Sequence, residues 1–273
     1  MSQPFPAPFS HLDAVGSTHA GVVRTRNEDA FLILPECGVF CVADGIGGAW
    51  GGHHASSTTV DVLGSAFSSE WDRLSAASME DRKRAVRGAI DRAGESIRSQ
   101  AREKGAGQSG TTAITLLFCP QDRTKATVMH AGDSRAYRFR GGRLTRLTRD
   151  HTLANQIGMD EGSPEASSYR NVVTRAVGLA DRVVLEEADV EVRGGDLFLL
   201  CSDGLTNMVD DEGIEAYLDM MRDQPMKEVA RGLVEAANES GGHDNITVLL
   251  VDVEGGRDSD SWGARFRSWL ARS

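Results

Sequence analysis

Four aspartates share one sequence context, at the edge of an apolar segment and beside glycine or a small polar residue. They are Asp44 in "CVADGIGG", Asp133 in "VMHAGDSR", Asp203 in "LFLLCSDG" and Asp244 in "GGHDNITVLL". Each one alone is explained by turn chemistry, because aspartate bonds its own backbone and glycine allows positive φ. Together they predict carboxylates that converge where strands end, and converging carboxylates repel one another unless cations lie between them.

The ligand atoms that these four aspartates offer indicate which cations would bind. The four candidate ligands are all carboxylates, with no cysteine or histidine among them, and carboxylate oxygens suit hard ions such as Mg²⁺ or Mn²⁺. A fifth motif, "RTRNEDA", places Arg24, Glu28 and Asp29 just ahead of an apolar segment. A charge run of this kind is typical of a solvated surface. Beside an acidic metal site, however, an arginine is suited to bind a phosphate through two hydrogen bonds.

Composition excludes some classes of protein. The chain has 273 residues, 40% of them hydrophobic, which predicts a globular protein with a sizeable core. Its formal net charge of -10 argues against a nucleic-acid binder, because binding a phosphate backbone needs a basic surface.

The cysteines and the N-terminus predict a cytoplasmic protein. The four cysteines lie in apolar runs without CxxC spacing, as expected of core thiols in a reducing compartment. The first residues, "MSQPFPAPFS", lack a signal-peptide pattern, and no apolar run reaches the roughly 20 residues that span a bilayer.

Short apolar segments broken by glycine or proline predict the strands. Two hairpins are expected, around Gly141-Gly142 and around Gly194-Gly195. Helical periodicity occurs in four segments, which are 52–69, 79–104, 210–221 and 225–240.

Strands in hairpin clusters, separated by paired helices, predict an α+β fold. We expect a central antiparallel β-sandwich flanked on both sides by pairs of helices, in α-β-β-α layers. The predicted organisation is a flexible segment at 1–10, one domain at 11–253 and a tail at 254–273. The polar segment 150–172 is predicted to be a surface flap.

The order of the motifs resembles a known family. "RTRNEDA", "VADGIGG", "SGTTA", "HAGDSRAY", "LTRDHT", "TRAVG", "LCSDGL" and "HDNITVLLV" are similar, in that sequence, to the metal-dependent serine/threonine phosphatases of the PPM (type 2C) family, and most to its bacterial members. Any one motif is weakly specific, whereas the ordered set, across residues 11–253, is highly specific.

The resemblance implies a role for each matched residue. Asp44 would bridge two metal ions, the carbonyl of Gly45 would bind the second ion, and Asp203 with Asp244 would complete the first. Asp133, with Asp203, would hold a third, weaker ion. Glu28 and Asp29 would act through metal-bound waters, and Arg24 would clamp the substrate phosphate.

The implied reaction is hydrolysis of phosphoserine and phosphothreonine in proteins, in bacterial signalling opposed to a serine/threonine kinase. Two Mg²⁺ or Mn²⁺ ions would lower the pKa of a bridging water and align the resulting hydroxide for in-line attack. Arg24 and the ions would offset charge on the phosphoryl oxygens, without a covalent intermediate.

Two positions depart from the family pattern. Many eukaryotic relatives carry histidine, a proposed general acid, where this chain has Ile46, so the leaving-group proton must come from elsewhere. His53, His54 and His243 lie near the motifs but are expected to be structural or surface residues. In the flap, "EASSYRN" stands where relatives often show His-Pro, which leaves substrate contacts open.

Other interpretations remain at this point. The chain could be a phosphate-binding pseudophosphatase, although every metal acid is present, or a metallohydrolase of small phosphate esters. Its expected partners are phosphorylated proteins, among them a kinase and its substrates. The tail "WGARFRSWLARS" is expected to pack on the domain or stay disordered, and a basic amphipathic helix that touches a membrane is the alternative.

Overall fold

A computed structural model describes residues 9–47, 51–105, 107–159, 163 and 166–254. Its strands, in chain order, are β1 (Leu12–His19), β2 (Ala30–Leu34), β3 (Val39–Ala43), β4 (Gly45–Ile46), β5 (Gly110–Thr111), β6 (Ala113–Phe118), β7 (Lys125–Ala131), β8 (Arg135–Arg140), β9 (Arg143–Arg146), β10 (Glu186–Glu191), β11 (Leu197–Cys201) and β12 (Ile246–Val253). Its helices are α1 (Gly51–Ser69), α2 (Trp71–Leu74), α3 (Met79–Glu103), α4 (Leu153–Gln156), α5 (Ser167–Arg170), α6 (Asp203–Thr206), α7 (Asp211–Met220) and α8 (Met226–Glu239), with a 3₁₀ turn at Pro35–Cys37.

Two five-stranded antiparallel sheets form the centre of the molecule. The first has the order β1-β12-β11-β8-β9 and the second the order β10-β7-β6-β3-β2, while β4 and β5 make a small separate ribbon. The α+β class and its antiparallel sandwich are therefore confirmed.

Side chains of β12 show why the sandwich has helices outside it. All eight residues of this strand are buried. Leu249 and Val251 point into the core between the two sheets, whereas Val248 and Leu250 pack in the core under α7 and α8. Because successive side chains of a strand alternate between faces, a strand that is buried along its whole length needs cover on both sides.

The opposite face of the second sheet is covered by α1 and α3. Val86, Ile90 and Ile97, the predicted apolar stripe of α3, are buried there beside Leu63 and Phe67 of α1. The layers are thus α1/α3, second sheet, first sheet and α7/α8, as expected.

One hairpin prediction is confirmed and the other is wrong. Gly141 and Gly142, with φ of 58° and 82°, join β8 to β9, which pair directly. By contrast, β10 and β11 lie in different sheets, although Gly195 (φ 87°) makes the expected turn between them. A turn reverses the chain locally, but it does not select the sheet that the next strand joins.

The N-terminal boundary also differs from the prediction. Phe9, assigned to the flexible segment 1–10, is only 2% exposed, and its ring lies 6.2 Å from that of Trp71. Residues 1–8 and the tail from 255 onward, including the proposed amphipathic helix, lie outside the described residues.

The cysteines and the helices were also the subject of predictions. The four cysteines are buried free thiols, as predicted. Among the described residues, no helix is long and apolar enough to cross a membrane.

Candidate active site

The candidate site lies at one rim of the sandwich, where strand ends from both sheets meet. β3 and β7 run in the same direction because β6 between them is antiparallel to both, so Asp44 and Asp133 follow at the same end of the second sheet. In the first sheet, β11 and β12 are antiparallel, so Asp203 after β11 and Asp244 before β12 also share an end.

These strand ends enclose a cleft of about 300 Å³. The predicted site residues that line it are Arg24, Glu28, Asp44, Gly45, Asp133, Asp203 and Asp244. The structure therefore brings together every residue of the predicted set except Asp29, which lies behind the cleft.

Two threonines hold the backbone at Asp44. The Asp44 carbonyl accepts hydrogen bonds from the Thr112 amide and the Thr111 hydroxyl, each at 2.8 Å, and the Asp44 amide donates to Thr112 Oγ1 at 2.9 Å. Thr112 Oγ1 is also 2.7 Å from Ser134 Oγ, beside Asp133. The main chain of Asp44 is therefore fixed, which sets the direction of its carboxylate.

Gly45 is required by close packing. A Cβ at this position would lie 2.3 Å from the Gly52 carbonyl oxygen and 2.6 Å from that of Glu28. A Cβ on Gly52 would in turn lie 2.4 Å from Glu28 Oε2. The glycines of this motif thus let the start of α1 approach β4 and the "RTRNEDA" loop.

The carboxylates of the cleft perturb one another. Burial raises the pKa of Asp44 well above its ordinary value, and the negative charges of Asp29, Asp203, Asp133 and Asp244 raise it further. Burial and the charge of Asp203 raise the pKa of Asp133 to about 8.

Asp203 is affected in the same way. Burial and the charge of Asp244 raise its pKa, while the amide of Asn207, which donates to Asp203 Oδ2 at 3.0 Å, opposes the shift.

Asp29 is buried beneath this group. Its Oδ2 accepts hydrogen bonds from Ser202 Oγ at 2.8 Å and Thr247 Oγ1 at 2.7 Å, while its Oδ1 is buried without a hydrogen-bond partner. Burial raises its pKa to about 7, although the two hydroxyl donors act against that shift.

Arg24 is the basic residue among the described residues that line the cleft. Its Nη2 donates to Asp244 Oδ2 at 2.8 Å, and its side chain is 55% exposed. An arginine held at one end by a carboxylate and open to solvent still has donors for a phosphate oxygen.

Asn245 was missed by the sequence interpretation, although it lies in the quoted motif "HDNITVLLV". Its Oδ1 accepts from the Glu28 amide at 2.7 Å, and its Nδ2 donates to the carbonyls of Ala20 and Arg26 at 3.0 and 2.8 Å. Its own amide donates to Asp244 Oδ1 at 2.8 Å. Asn245 therefore ties the "RTRNEDA" loop to Asp244.

The donor set fits hard divalent cations. Five carboxylates and a single guanidinium line the cleft, and burial together with mutual repulsion raises the pKa of Asp44, Asp133 and Asp203, so a further positive charge at this place would stabilise their ionised forms. Oxygen ligands of this kind are those that Mg²⁺ and Mn²⁺ prefer.

A separate group of possible ligands is formed by His130, His151 and Glu186. The two rings are stacked, with centroids 4.4 Å apart and planes inclined by 7°. Because an imidazole binds metal in its ring plane, stacked rings direct their lone pairs side by side and not at one ion. His151 instead accepts from the Gly132 amide at 3.2 Å and bonds Glu186 at 3.0 Å, so this network supports the turn before Asp133.

Ile46, at the position where many eukaryotic relatives carry histidine, lines the cleft. Asn171, in the segment 150–172, and the nearby Val173 also line it. His53 and His243 are exposed, and no histidine occurs among the described residues that line the cleft. His53 and His243 are thus surface residues, one of the two possibilities expected of them.

Comparison with known proteins identifies the family. The family profile described as "Protein phosphatase 2C" matches residues 15–240. A serine/threonine phosphatase, stp, of Listeria monocytogenes is 31% identical over 252 residues, which cover 89% of this chain and 97% of that relative. The Mycobacterium tuberculosis phosphatase PstP is 34% identical over 238 residues, which cover 85% of this chain and 43% of PstP.

Solved structures agree with this similarity. PppA, described as a key regulatory component of T6SS in Pseudomonas aeruginosa, is 38% identical with a TM-score of 0.76, over 89% of this chain and 98% of PppA. The catalytic domain of PstP, in complex with two manganese ions, is 29% identical with a TM-score of 0.72, over 89% and 99% of the two chains.

The α-β-β-α sandwich is thus shared with the PPM phosphatases, a metal-dependent family. The chain belongs to the protein phosphatase 2C family. It is a protein-serine/threonine phosphatase of the bacterial type, a phosphoric monoester hydrolase.

Proposed function

We propose that this protein removes phosphate from phosphoserine and phosphothreonine in proteins with hydroxide generated at a two-metal centre, and that it opposes a serine/threonine kinase in the bacterial cytoplasm. The convergence of Asp44, Asp133, Asp203 and Asp244 in one cleft supports the metal centre. The similarity to bacterial phosphatases supports the substrate class, and four buried thiols suit a reducing compartment.

Each predicted ligand has a place in this proposal. Asp44, the Gly45 carbonyl, Asp203 and Asp244 would hold two Mg²⁺ or Mn²⁺ ions, and Asp133 with Asp203 would hold a third. Glu28, which lines the same cleft, and Asp29, which is buried behind it, would contact the ions through metal-bound waters. The ions would supply the Lewis acidity that makes water a nucleophile near neutral pH and that offsets charge on the phosphate.

The protein's own groups orient the substrate. Arg24, with part of its guanidinium bonded to Asp244, would direct its remaining donors at the phosphoryl oxygens. Thr112 and Asn245 would keep Asp44, Glu28 and Asp244 in position. With Ile46 in the cleft, no side chain at that position donates a proton to the leaving group.

Asp44→Asn tests the proposal most directly. We expect wild-type protein to hydrolyse a phosphothreonine peptide with Mn²⁺ or Mg²⁺ and to lose this activity in EDTA. Asp44→Asn should lower kcat by at least about 10³-fold because it removes a charge from the centre of the ligand set. Phosphate release is the measurement, and circular dichroism reports folding.

Asp61→Asn is the matched control, because Asp61 is an exposed carboxylate on α1 outside the cleft. It should retain wild-type activity. Activity of Asp44→Asn equal to that of the control would refute the assignment. Peptide binding without turnover under either metal would favour a pseudophosphatase, and turnover of small esters with no turnover of peptide would favour a metabolite hydrolase.

A further inference from the structure

Two adjacent valines are exposed at the rim of the cleft. Val22 and Val23, 64% and 60% exposed, directly precede Arg24 in the chain. Single exposed apolar side chains are ordinary, whereas contiguous exposed apolar surface is typical of an interaction site.

The backbone of this loop is fixed, so the two side chains remain outside. The amides of Val22 and Val23 donate to the Gly242 carbonyl at 2.9 and 3.4 Å. Gly21 (φ 81°) packs so closely on the next segment that a Cβ there would lie 2.2 Å from the Asp244 carbonyl oxygen. The valines are therefore presented on a loop that is anchored to the segment of Asp244.

Five of the seven large exposed apolar side chains in the described residues lie in two segments of the chain that also contribute residues to the cleft. The seven are Val22, Val23, Ile157, Tyr169, Val172, Val184 and Met220. Beyond the two valines, Ile157, Tyr169 and Val172 belong to the segment 150–172, and Asn171 and the adjacent Val173 line the cleft. The segments that carry these side chains, around Arg24 and around Asn171, therefore also contribute to the lining of the acidic cleft.

We propose that Val22 and Val23 form an apolar ledge that contacts bulky apolar side chains next to the phosphorylated residue, so that the protein prefers phosphosites with apolar flanks. This inference rests on the proposed function. The Cα atoms of Val22 and Val23 lie within about 8 Å of that of Arg24, and two residues of extended substrate span about 7 Å. With the phosphate at the Arg24 guanidinium, substrate residues within a few positions of the phosphorylated residue would pass the loop that carries the ledge.

The chemistry of the ledge selects its ligand. Contact with a leucine or phenylalanine removes apolar surface of both partners from water, which is favourable. A charged or small polar flanking residue has little apolar surface to bury against the valines, so it gains no binding free energy from this contact.

The test uses two phosphothreonine peptides of equal net charge. One has leucine at the two positions on each side of the phosphothreonine, and the other has serine there. We expect the wild-type ratio of kcat/KM, leucine peptide over serine peptide, to be about 5 to 10, because one or two side chains gain contact. In the double variant Val22→Ser, Val23→Ser this ratio should fall to about 1 to 2.

Val184→Ser is the matched control. Val184 is 72% exposed, and its neighbours Val183 and Leu185 pack against the α1/α3 layer, away from the described lining of the cleft. It should keep the wild-type ratio. Because the measurement is the ratio of kcat/KM for the two peptides, a loss of activity that affects both peptides equally leaves the ratio unchanged.

The outcomes separate this inference from the proposed function. Turnover of both peptides with a ratio near 1 in wild type, or an unchanged ratio in the double variant, would overturn the ledge alone. Equal loss of preference in Val184→Ser would also overturn it, since the effect would not be local. Absence of metal-dependent turnover of either peptide by wild type would overturn the proposed function and the ledge with it.

Discussion

Arg24 lines the acidic cleft, and in the proposed function it would bind the substrate phosphate. Its guanidinium bonds Asp244 at 2.8 Å, and both side chains are partly exposed, 55% and 38%. An exposed ion pair of this kind adds little to stability. The pair is therefore better explained by orientation, because it aims the free donors of the arginine into the cleft.

Arg24→Ala should chiefly raise KM for a phosphothreonine peptide, by about 10- to 100-fold, with a smaller loss of kcat, since a charge-assisted hydrogen bond to phosphate is removed. Steady-state kinetics with saturating Mn²⁺ measures both constants. Arg231→Ala is the control, because Arg231 is 61% exposed in a surface ion pair on α8. An unchanged KM in Arg24→Ala would show that Arg24 does not hold the phosphate.

The start of α1 is positioned by glycine contacts with β4. The Gly45 backbone and the Gly52 carbonyl are too close for a Cβ between them, and Gly52 is equally close to the Glu28 carboxylate. The start of α1 therefore meets both β4 and the loop before β2, the two elements here that carry site residues, without side chains between them.

Gly45→Ala should separate these elements. Because the Cβ would lie 2.3 Å from a backbone oxygen, we expect a loss of about 1–3 kcal/mol in the free energy of unfolding and a large loss of kcat. Urea denaturation and peptide turnover measure the two effects. Gly107→Ala is the control, since a Cβ there meets nothing within 4 Å. A Gly45→Ala variant as active and stable as Gly107→Ala would contradict this account.

Across the whole molecule, the acidic cleft joins the two sheets. The second sheet contributes Asp44 and Asp133, and the first contributes Asp203 and Asp244. Cations bound between them would hold the sheets together at this rim, and without cations the same carboxylates repel. Metal binding should therefore be visible in global stability as well as in activity.

In EDTA, the free energy of unfolding should rise as pH is lowered from 8 to 6.5. The folded-state pKa is raised to about 8 for Asp133 and to about 7 for Asp29, above their unfolded values. The folded protein then binds more protons than the unfolded chain in this range, which stabilises it by ~1.4 kcal/mol per pH unit for each proton retained. Below this window, His11 and His151 act in the opposite direction, because burial lowers their pKa.

Thermal unfolding at several pH values, with EDTA or Mn²⁺, measures this effect. Mn²⁺ should stabilise most at pH 8, where the carboxylates are deprotonated, and should remove the trend seen in EDTA. Asp133→Asn should flatten the trend, whereas Asp61→Asn should not. A pH dependence that is the same with and without Mn²⁺ would contradict a metal centre at this rim.

Local features of the sequence were sufficient for the long helices, for the longer strands and for most of the candidate site. Strand periodicity, helical stripes and turn residues act over a few neighbouring positions, so the segments around β12 and α3 and the acids at strand ends could be read directly. The ordered motifs then indicated the family, and seven of the eight predicted site residues line one cleft.

Only the tertiary structure decided which strands pair and which residues support the acids. The Gly195 turn is local, but the assignment of β10 and β11 to different sheets depends on partners far away in the chain. Asn245 bonds Glu28 across 217 positions, and Ser202 bonds Asp29 across 173. Such contacts carry no periodic signal in a single sequence, because they arise when the two sheets pack and bring distant loops to one rim.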